Sequence, residues 1–210
     1  MPASSSIPLL IFAKAPIAGQ VKTRLQSHCS AKQAAEIAGI LLQETLTMAC
    51  DSWPGEVILA ASPSAADKAI TKIADQFNLR MVDQGSGDLG DKMSRAAEDF
   101  GYPVAIIGSD SPHMSAEHLT NTYENLLRGL HTIGPSTDGG YYLIGLAHGE
   151  PNVFSEIEWS TETVFESTIS RAEFNILSSE TDIDHWNDVI NASTAFPALA
   201  QYLSKQGLLD

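Results

Sequence analysis

The 210-residue sequence predicts an α/β fold in which helices cover both faces of a largely parallel sheet. Two observations carry this. Short apolar runs alternate with segments of helical periodicity along most of the chain. Four polar segments, Lys14–Arg24, Gln84–Gly90, Ser109–Pro112 and Pro135–Gly140, each follow an expected strand. Ligand loops occupy that position in open α/β sheets, beyond the carboxyl ends of the strands. No internal repeat, low-complexity tract or linker interrupts the pattern, so one domain is expected over residues 1–210.

The elements follow in order. Ile7–Ala13 reads as a buried strand. Ala31–Ala49 carries Ile37, Leu41, Leu42, Thr45 and Leu46 at helical spacing. Val57–Ala61 is a strand and Ala65–Phe77 a helix. Leu79–Val82 is a short strand, and Asp91–Phe100 is helical. Val104–Ile107 is a buried strand that runs into Gly108-Ser109-Asp110-Ser111-Pro112. Ser115 is expected to cap a helix reaching Arg128. Thr132–Ile133 and Tyr141–Leu146 are strands on either side of Pro135–Gly140. Ser160 or Thr161 is expected to cap a helix reaching Ala172. A last helix follows Asp184 and breaks near Pro197.

Charge narrows the function. The net charge is −14, yet residues 1–35 hold Lys14, Lys22, Arg24 and Lys32 and no acid. An acidic chain lacks the basic face that general nucleic-acid binding needs. It does not exclude one small anion at a local basic loop. Residues 130–210 hold only two bases, Arg171 and Lys205, a shift that does not by itself mark a domain boundary. Cys29 and Cys50 have no metal-ligand spacing and read as reduced packing residues. Residues 1–12 lack a basic n-region, and Ile7–Phe12 is too short for a secretory core. No apolar run has membrane-spanning length. A cytoplasmic location, away from membranes, is expected.

The motifs point to phosphate chemistry. Gly19, Lys22, Thr23 and Arg24 lie where the first strand ends. A glycine turn admits backbone N–H groups to an anion, and arginine grips phosphate through two nitrogens. Lys22-Thr23 is not a Walker A loop, because Val21 stands where glycine must precede the lysine. Gly85-Ser-Gly87-Asp-Leu-Gly90 matches a dinucleotide fingerprint literally, and Asp110 follows Gly90 by 20 residues. Asp88 inside that loop opposes a pyrophosphate, and suits a helix N-terminus better. Asp110, at the exit of a buried strand, suits either Mg²⁺ or Mn²⁺ ligation or capping of the turn. Asp138-Gly139-Gly140 suits a hairpin turn as well as an anion site. Trp159-Ser160-Thr161 opens a helix in this reading, and Asp182 and Asp184 are simplest as caps. The six histidines form no H-E-x-x-H pattern, and no G-x-S-x-G elbow is present.

Taken together, Phe12–Pro16, Gly19–Leu25, Gln84 with Gly87–Gly90 and Met93, Gly108–Pro112, Gly134–Leu146 and Trp159–Thr161 resemble one family over nearly the whole chain. It is the small GT-A-type glycosyltransferase-like group called DUF2064, or rSAM/selenodomain-associated transferase 1. The resemblance implies a nucleotide-diphospho-sugar transferase fold, a three-layer α/β/α arrangement with a mostly parallel mixed sheet. It implies that Lys14 and Gly19–Arg24 hold nucleotide phosphates. Gln84, Asp88 and Gly90 would lie near the nucleoside. Asp110 would bind Mg²⁺ or Mn²⁺ and act in catalysis with Asp138. Gly139, Gly140, Tyr141, Ser160 and Thr161 would face the acceptor. Gly108 and Pro112 replace the second carboxylate of an Asp-x-Asp motif. Asp138 and Asp184 are the candidates for the missing ligand. Glycosyl transfer from a nucleotide-sugar to a small acceptor is the expected reaction. Nucleotidyl transfer with release of pyrophosphate stays open, as does a nucleotide-binding module without turnover.

Overall fold

The computed structural model describes residues 6–150 and 152–209. Seven strands form one sheet: β1 (Leu9–Lys14), β2 (Val57–Ser62), β3 (Arg80–Asp83), β4 (Val104–Gly108), β5 (His131–Pro135), β6 (Tyr141–Leu146) and β7 (Phe174–Ile176), in the order β3-β2-β1-β4-β6-β5-β7. All run parallel except β6, which pairs antiparallel with β4 and β5. The fold is the expected α/β type with a mostly parallel mixed sheet.

The apolar run of β1 explains its central place. Side chains alternate across a strand. Leu9, Ile11 and Ala13 enter one core, and Leu10 and Phe12 enter another. A strand buried on both faces needs such a continuous run rather than an alternating one. The first core packs against α1 (Ala31–Ser52), α2 (Lys68–Phe77) and α4 (Ala116–Leu127), through Leu42, Leu46, Ile70, Ile73 and Leu119. The second packs against α3 (Leu89–Phe100) through Met93 and Ala97, and against α5 (Val164–Ile169) through Phe165 and Ile169.

Caps set the helix starts. The Ser30 hydroxyl accepts from the Gln33 backbone N–H, and the Gln33 side chain accepts from the Ser30 N–H, closing a capping box. Asp67, Asp88 and Ser115 cap α2, α3 and α4 through their side-chain oxygens. The helix expected from Ser160 or Thr161 to Ala172 is instead only Val164–Ile169, and neither residue caps it. Ser160 lies in the left-handed region, at φ 67°, and the Thr161 hydroxyl donates to Glu158 O at 2.7 Å. After α5 the chain forms β7, which pairs with β5.

A third core ties the ends of the chain together. Leu25, in the 3-10 turn Thr23–Ser27, packs with Ala34, Ile37 and Leu41 of α1. Ile183, Val189 of α6 (Trp186–Ser193), and Leu199 and Leu203 of α7 (Pro197–Lys205) complete it. No helix is long and apolar enough to cross a membrane among the described residues.

Candidate functional site

The strand order reverses between β1 and β4, because β2 and β3 lie to one side and β6 to the other. At such a switch point the loops after neighbouring strands part and leave a crevice. Here it is a cleft of about 480 Å³. Lys14, Lys22, Thr23, Arg24, Gln84, Asp110 and Asp184 line it, together with Phe12 and Leu42.

The basic loop is pinned by apolar neighbours. Val21 and Leu25 are buried, and Lys22 between them adopts a left-handed backbone, φ 46° and ψ 42°. That conformation is uncommon for a residue with a Cβ, and such strain gathers at functional loops. The Lys22 side chain is only 6% exposed. Its ammonium meets three oxygens: Asp110 Oδ1 at 2.6 Å, Asp184 Oδ1 at 2.9 Å and Ile183 O at 2.8 Å. Burial pulls the ammonium pKa down, but Asp110 and Asp184 outweigh it and hold the group above its ordinary value. Arg24, 63% exposed, donates to the other oxygen of Asp184 at 2.9 Å. Burial pushes the Asp184 carboxyl up, yet Lys22, Arg24 and His185 together bring it below the usual range.

The acidic wall comes from a distant part of the chain. Ile183 is an apolar anchor in the third core, flanked by Asp182 and Asp184. Its N–H donates to Asp110 O at 2.9 Å, which fastens this segment to the exit of β4. Asp184 is therefore an ion-pair partner, not the expected cap; His185 stands at the N-cap of α6. Asp182 is not a cap either. It accepts from the Ser111 hydroxyl at 2.5 Å. Burial, then crowding by Asp110, Asp138 and Asp184, raises the Asp182 pKa, and the Ser111 bond offsets only part of this.

A carboxyl whose native pKa is raised contributes stability below its unfolded value, and loses it as pH rises through the native value. At neutral pH the ionised Asp182 is a cost. Asp182→Asn keeps an acceptor for Ser111 and removes the charge. It should raise the melting temperature at pH 7 and leave it nearly unchanged near pH 3, where the wild-type carboxyl is protonated in both states. An equal gain at both pH values would refute the charge account.

The other sequence-derived candidates fall into two groups. Gln84 is buried at the cleft wall, its amide nitrogen donating to Ala60 O at 2.8 Å and Ala13 O at 3.3 Å. Arg95 donates to the backbone carbonyls of Gln84 and Ser86, fixing the loop beneath. Gly19 is exposed, with φ 80°, just before the cleft-lining Gln20. Asp88 and Gly90 lie outside the cleft lining. The Asp88 carboxylate caps α3, and a Cβ on Gly90 would strike Phe154 O and the Trp159 ring. Asp138 also lies outside the lining, accepting from Gly140 N at 3.0 Å to close the turn before β6. Gly139, Gly140, Tyr141, Ser160 and Thr161 gather beyond it, where Phe165 N donates to Gly139 O at 2.8 Å. The Tyr141 hydroxyl meets Met93 Sδ at 3.9 Å, and its ring packs edge-on to Trp159.

Sequence reasoning did not single out Asp182 or Ile183 for the site. The signal was the alternation Asp182-Ile183-Asp184, one apolar anchor between two carboxylates.

Elsewhere, His131, His148 and Glu150 bring potential metal-ligating atoms within 4.8 Å of one another. They stand at the opposite rim, where β5 begins and β6 ends. His131 Nδ1 accepts from Ala147 N–H at 3.0 Å, so the proton of the neutral ring sits on Nε2, facing Glu150 Oε1 at 3.4 Å. A metal would need the lone pair of that nitrogen, and a ligating histidine normally donates from its other one. In this arrangement His131 and Glu150 form a hydrogen-bonded ledge, with the His148 ring packed against His131.

No curated protein matches the sequence. Among solved structures, a provisionally assigned nucleotide-diphospho-sugar transferase from Desulfovibrio desulfuricans G20 is 28% identical, with a TM-score of 0.82 and 96% of each chain covered. The 4-diphosphocytidyl-2C-methyl-D-erythritol synthase of Anaerococcus prevotii DSM 20548 shares the fold at 15% identity and a TM-score of 0.60, over 92% of this chain and 97% of that one. So does the manganese complex of Rv0371c from Mycobacterium tuberculosis H37Rv, at 14% identity and a TM-score of 0.52, over 89% and 97%. Residues 45–161, more than half of the chain, match the family described as "Uncharacterized protein conserved in bacteria (DUF2064)", and the chain belongs to that family.

Proposed function

We propose that this chain is a divalent-metal-dependent transferase that takes a nucleotide-sugar and passes the glycosyl group to a small acceptor. One observation carries the reading. Lys14, Lys22 and Arg24 share a single cleft with Asp110 and Asp184, cations suited to phosphate oxygens beside carboxylates suited to a hard metal. The likeness to the Desulfovibrio protein supports the donor class.

The donor set suits Mg²⁺ or Mn²⁺. Asp110, Asp184 and the Ile183 carbonyl already surround one cation, the Lys22 ammonium, at 2.6–2.9 Å. Hard divalent ions take such all-oxygen sets. Asp110 is assigned as principal ligand and Asp184 as second. The bound ion would neutralise the leaving diphosphate. Arg24, exposed on the rim, would turn from Asp184 to the phosphates and hold two of their oxygens. Gln84 has both amide hydrogens committed, so it offers the cleft only its carbonyl oxygen. An acceptor selects a base edge that presents an N–H. The second substrate would enter beside Asp138, where Gly139, Gly140, Ser160 and Thr161 are exposed or partly so.

Arg24→Ala should lower nucleotide affinity about 10–150-fold, the loss of a charge-assisted contact of ~1.5–3 kcal/mol. Calorimetry on the folded variant tests it, and unchanged affinity would remove the loop from phosphate binding. For the reaction, the protein is incubated with Mn²⁺ and a panel of nucleotides and nucleotide-sugars, with candidate acceptors. Enzyme-dependent release of a nucleoside diphosphate supports glycosyl transfer. Three cations in one cleft also match a triphosphate, which favours nucleotidyl transfer as the second reading; it releases pyrophosphate instead. Binding without either product supports a module without turnover. Absence of binding across the panel would overturn all three.

A further inference from the structure

We infer that the Lys22 ammonium is an internal stand-in for the divalent ion, holding the metal position closed until a polyphosphate draws it away. The inference deepens the proposed function and rests on it. Three oxygens converge on Nζ: Asp110 Oδ1, Asp184 Oδ1 and Ile183 O. An ammonium has three N–H donors, and each has an acceptor. The side chain is almost fully enclosed, while Asp110 is half exposed to the cleft. A divalent ion approaching Asp110 therefore finds that oxygen already engaged.

The charges agree. Lys22 and Arg24 cancel Asp110 and Asp184, so these four groups together offer a free cation no net attraction. A nucleoside diphosphate changes this. Its oxygens compete for Lys22 and Arg24, and as these turn to the phosphates the carboxylates are freed for the metal. A lysine stem has four rotatable bonds, whereas the two segments that carry the oxygens are fastened together: Ile183 N–H donates to the Asp110 backbone O, and the Ile183 side chain sits in the core. The metal should enter with the nucleotide rather than before it. Lys22 is thus a positioning residue as well as a phosphate contact.

Mn²⁺ alone is the probe, with affinity read by calorimetry and by the paramagnetic resonance of free Mn²⁺. Wild type should bind Mn²⁺ weakly, and about tenfold or more tighter when a nucleoside diphosphate is present. Lys22→Met should bind Mn²⁺ alone about tenfold or more tighter than wild type. Adding Asp110→Asn should cancel that gain. Lys22→Gln, which keeps a polar end, gives a second measurement. If either variant is unstable, Mn²⁺ should raise its melting temperature more than that of wild type. Variants that bind Mn²⁺ no tighter, or that Mn²⁺ fails to rescue, overturn the inference. A gain in Lys22→Met with no effect of nucleotide on wild type would leave the stand-in intact and sink the nucleotide reading.

Discussion

Asp110→Asn should abolish metal-dependent nucleotide binding, with Mn²⁺ affinity in the presence of nucleotide falling at least about 100-fold, or ~2.7 kcal/mol. The substitution keeps the backbone and the shape of the site, but it also removes one of the two charges that hold the buried Lys22 ammonium, so folding of the variant is checked by its melting temperature. The Asp110 backbone oxygen still accepts from Ile183 N–H, and the side chain is half exposed at the end of β4, where an amide fits the same space. The charge is lost, and with it the hard anionic ligand and one partner of Lys22. Asp184→Asn should weaken the metal as well. Asp138→Asn should not, because that carboxylate closes its own turn by accepting from Gly140 N. Asparagine keeps such turns. Equal loss in Asp110→Asn and Asp138→Asn would move the second ligand to Asp138. Normal Mn²⁺ and nucleotide binding in Asp110→Asn would reduce that residue to a turn former.

Gly139→Ala should be among the most destabilising single changes in the chain, by about 2–6 kcal/mol when backbone strain and overpacking are taken together. Gly139 has φ 90°, which disfavours any side chain. A Cβ there would also run into the Glu162 backbone, which has no rotamer to escape by. The same contact holds the turn against α5, through Phe165 N–H on Gly139 O. Gly19→Ala is the control. Its φ is 80°, but nothing lies within 4 Å of a new Cβ. It should cost only the strain, about 1–2 kcal/mol. Urea denaturation of both variants separates the terms, and equal losses would show that the Glu162 contact yields.

The contrast between these residues shows what a sequence reveals. β1, β2, β4 and β6 were legible because apolar runs buried on two faces offer few polar positions to confuse them. The helix starts at Ser115 and near Asp88 were legible because side-chain caps are local chemistry. β7 was not. Phe174–Ile176 is three residues long and leaves Asn175 and Ile176 exposed, so its strand state comes from pairing with β5 rather than from its own pattern. The helix after Trp159 was overextended because Ser160 and Thr161 look like caps, while a left-handed φ at Ser160 and the Thr161 bond to Glu158 O spend them locally. In the candidate site, the glycine, lysine and arginine of the first loop were readable together. The partners of Lys22 were not, because nothing local in Asp182–Asp184 says which loop it will face.

That separation has a consequence for how the chain acquires its cleft. Lys22 and Asp184 are 162 positions apart, yet they share a hydrogen bond of 2.9 Å. Closing so long a loop carries its entropy before the contact returns anything, so such pairs tend to form late. The carboxylate side is delivered by Ile183, which settles only when the helices that follow it dock on α1. During synthesis the basic loop emerges first, and its lysine and arginine are without the Asp184 carboxylate until a segment 162 positions further on has been made. Docking of α6 and α7 beside α1 is therefore the step expected to complete the cleft.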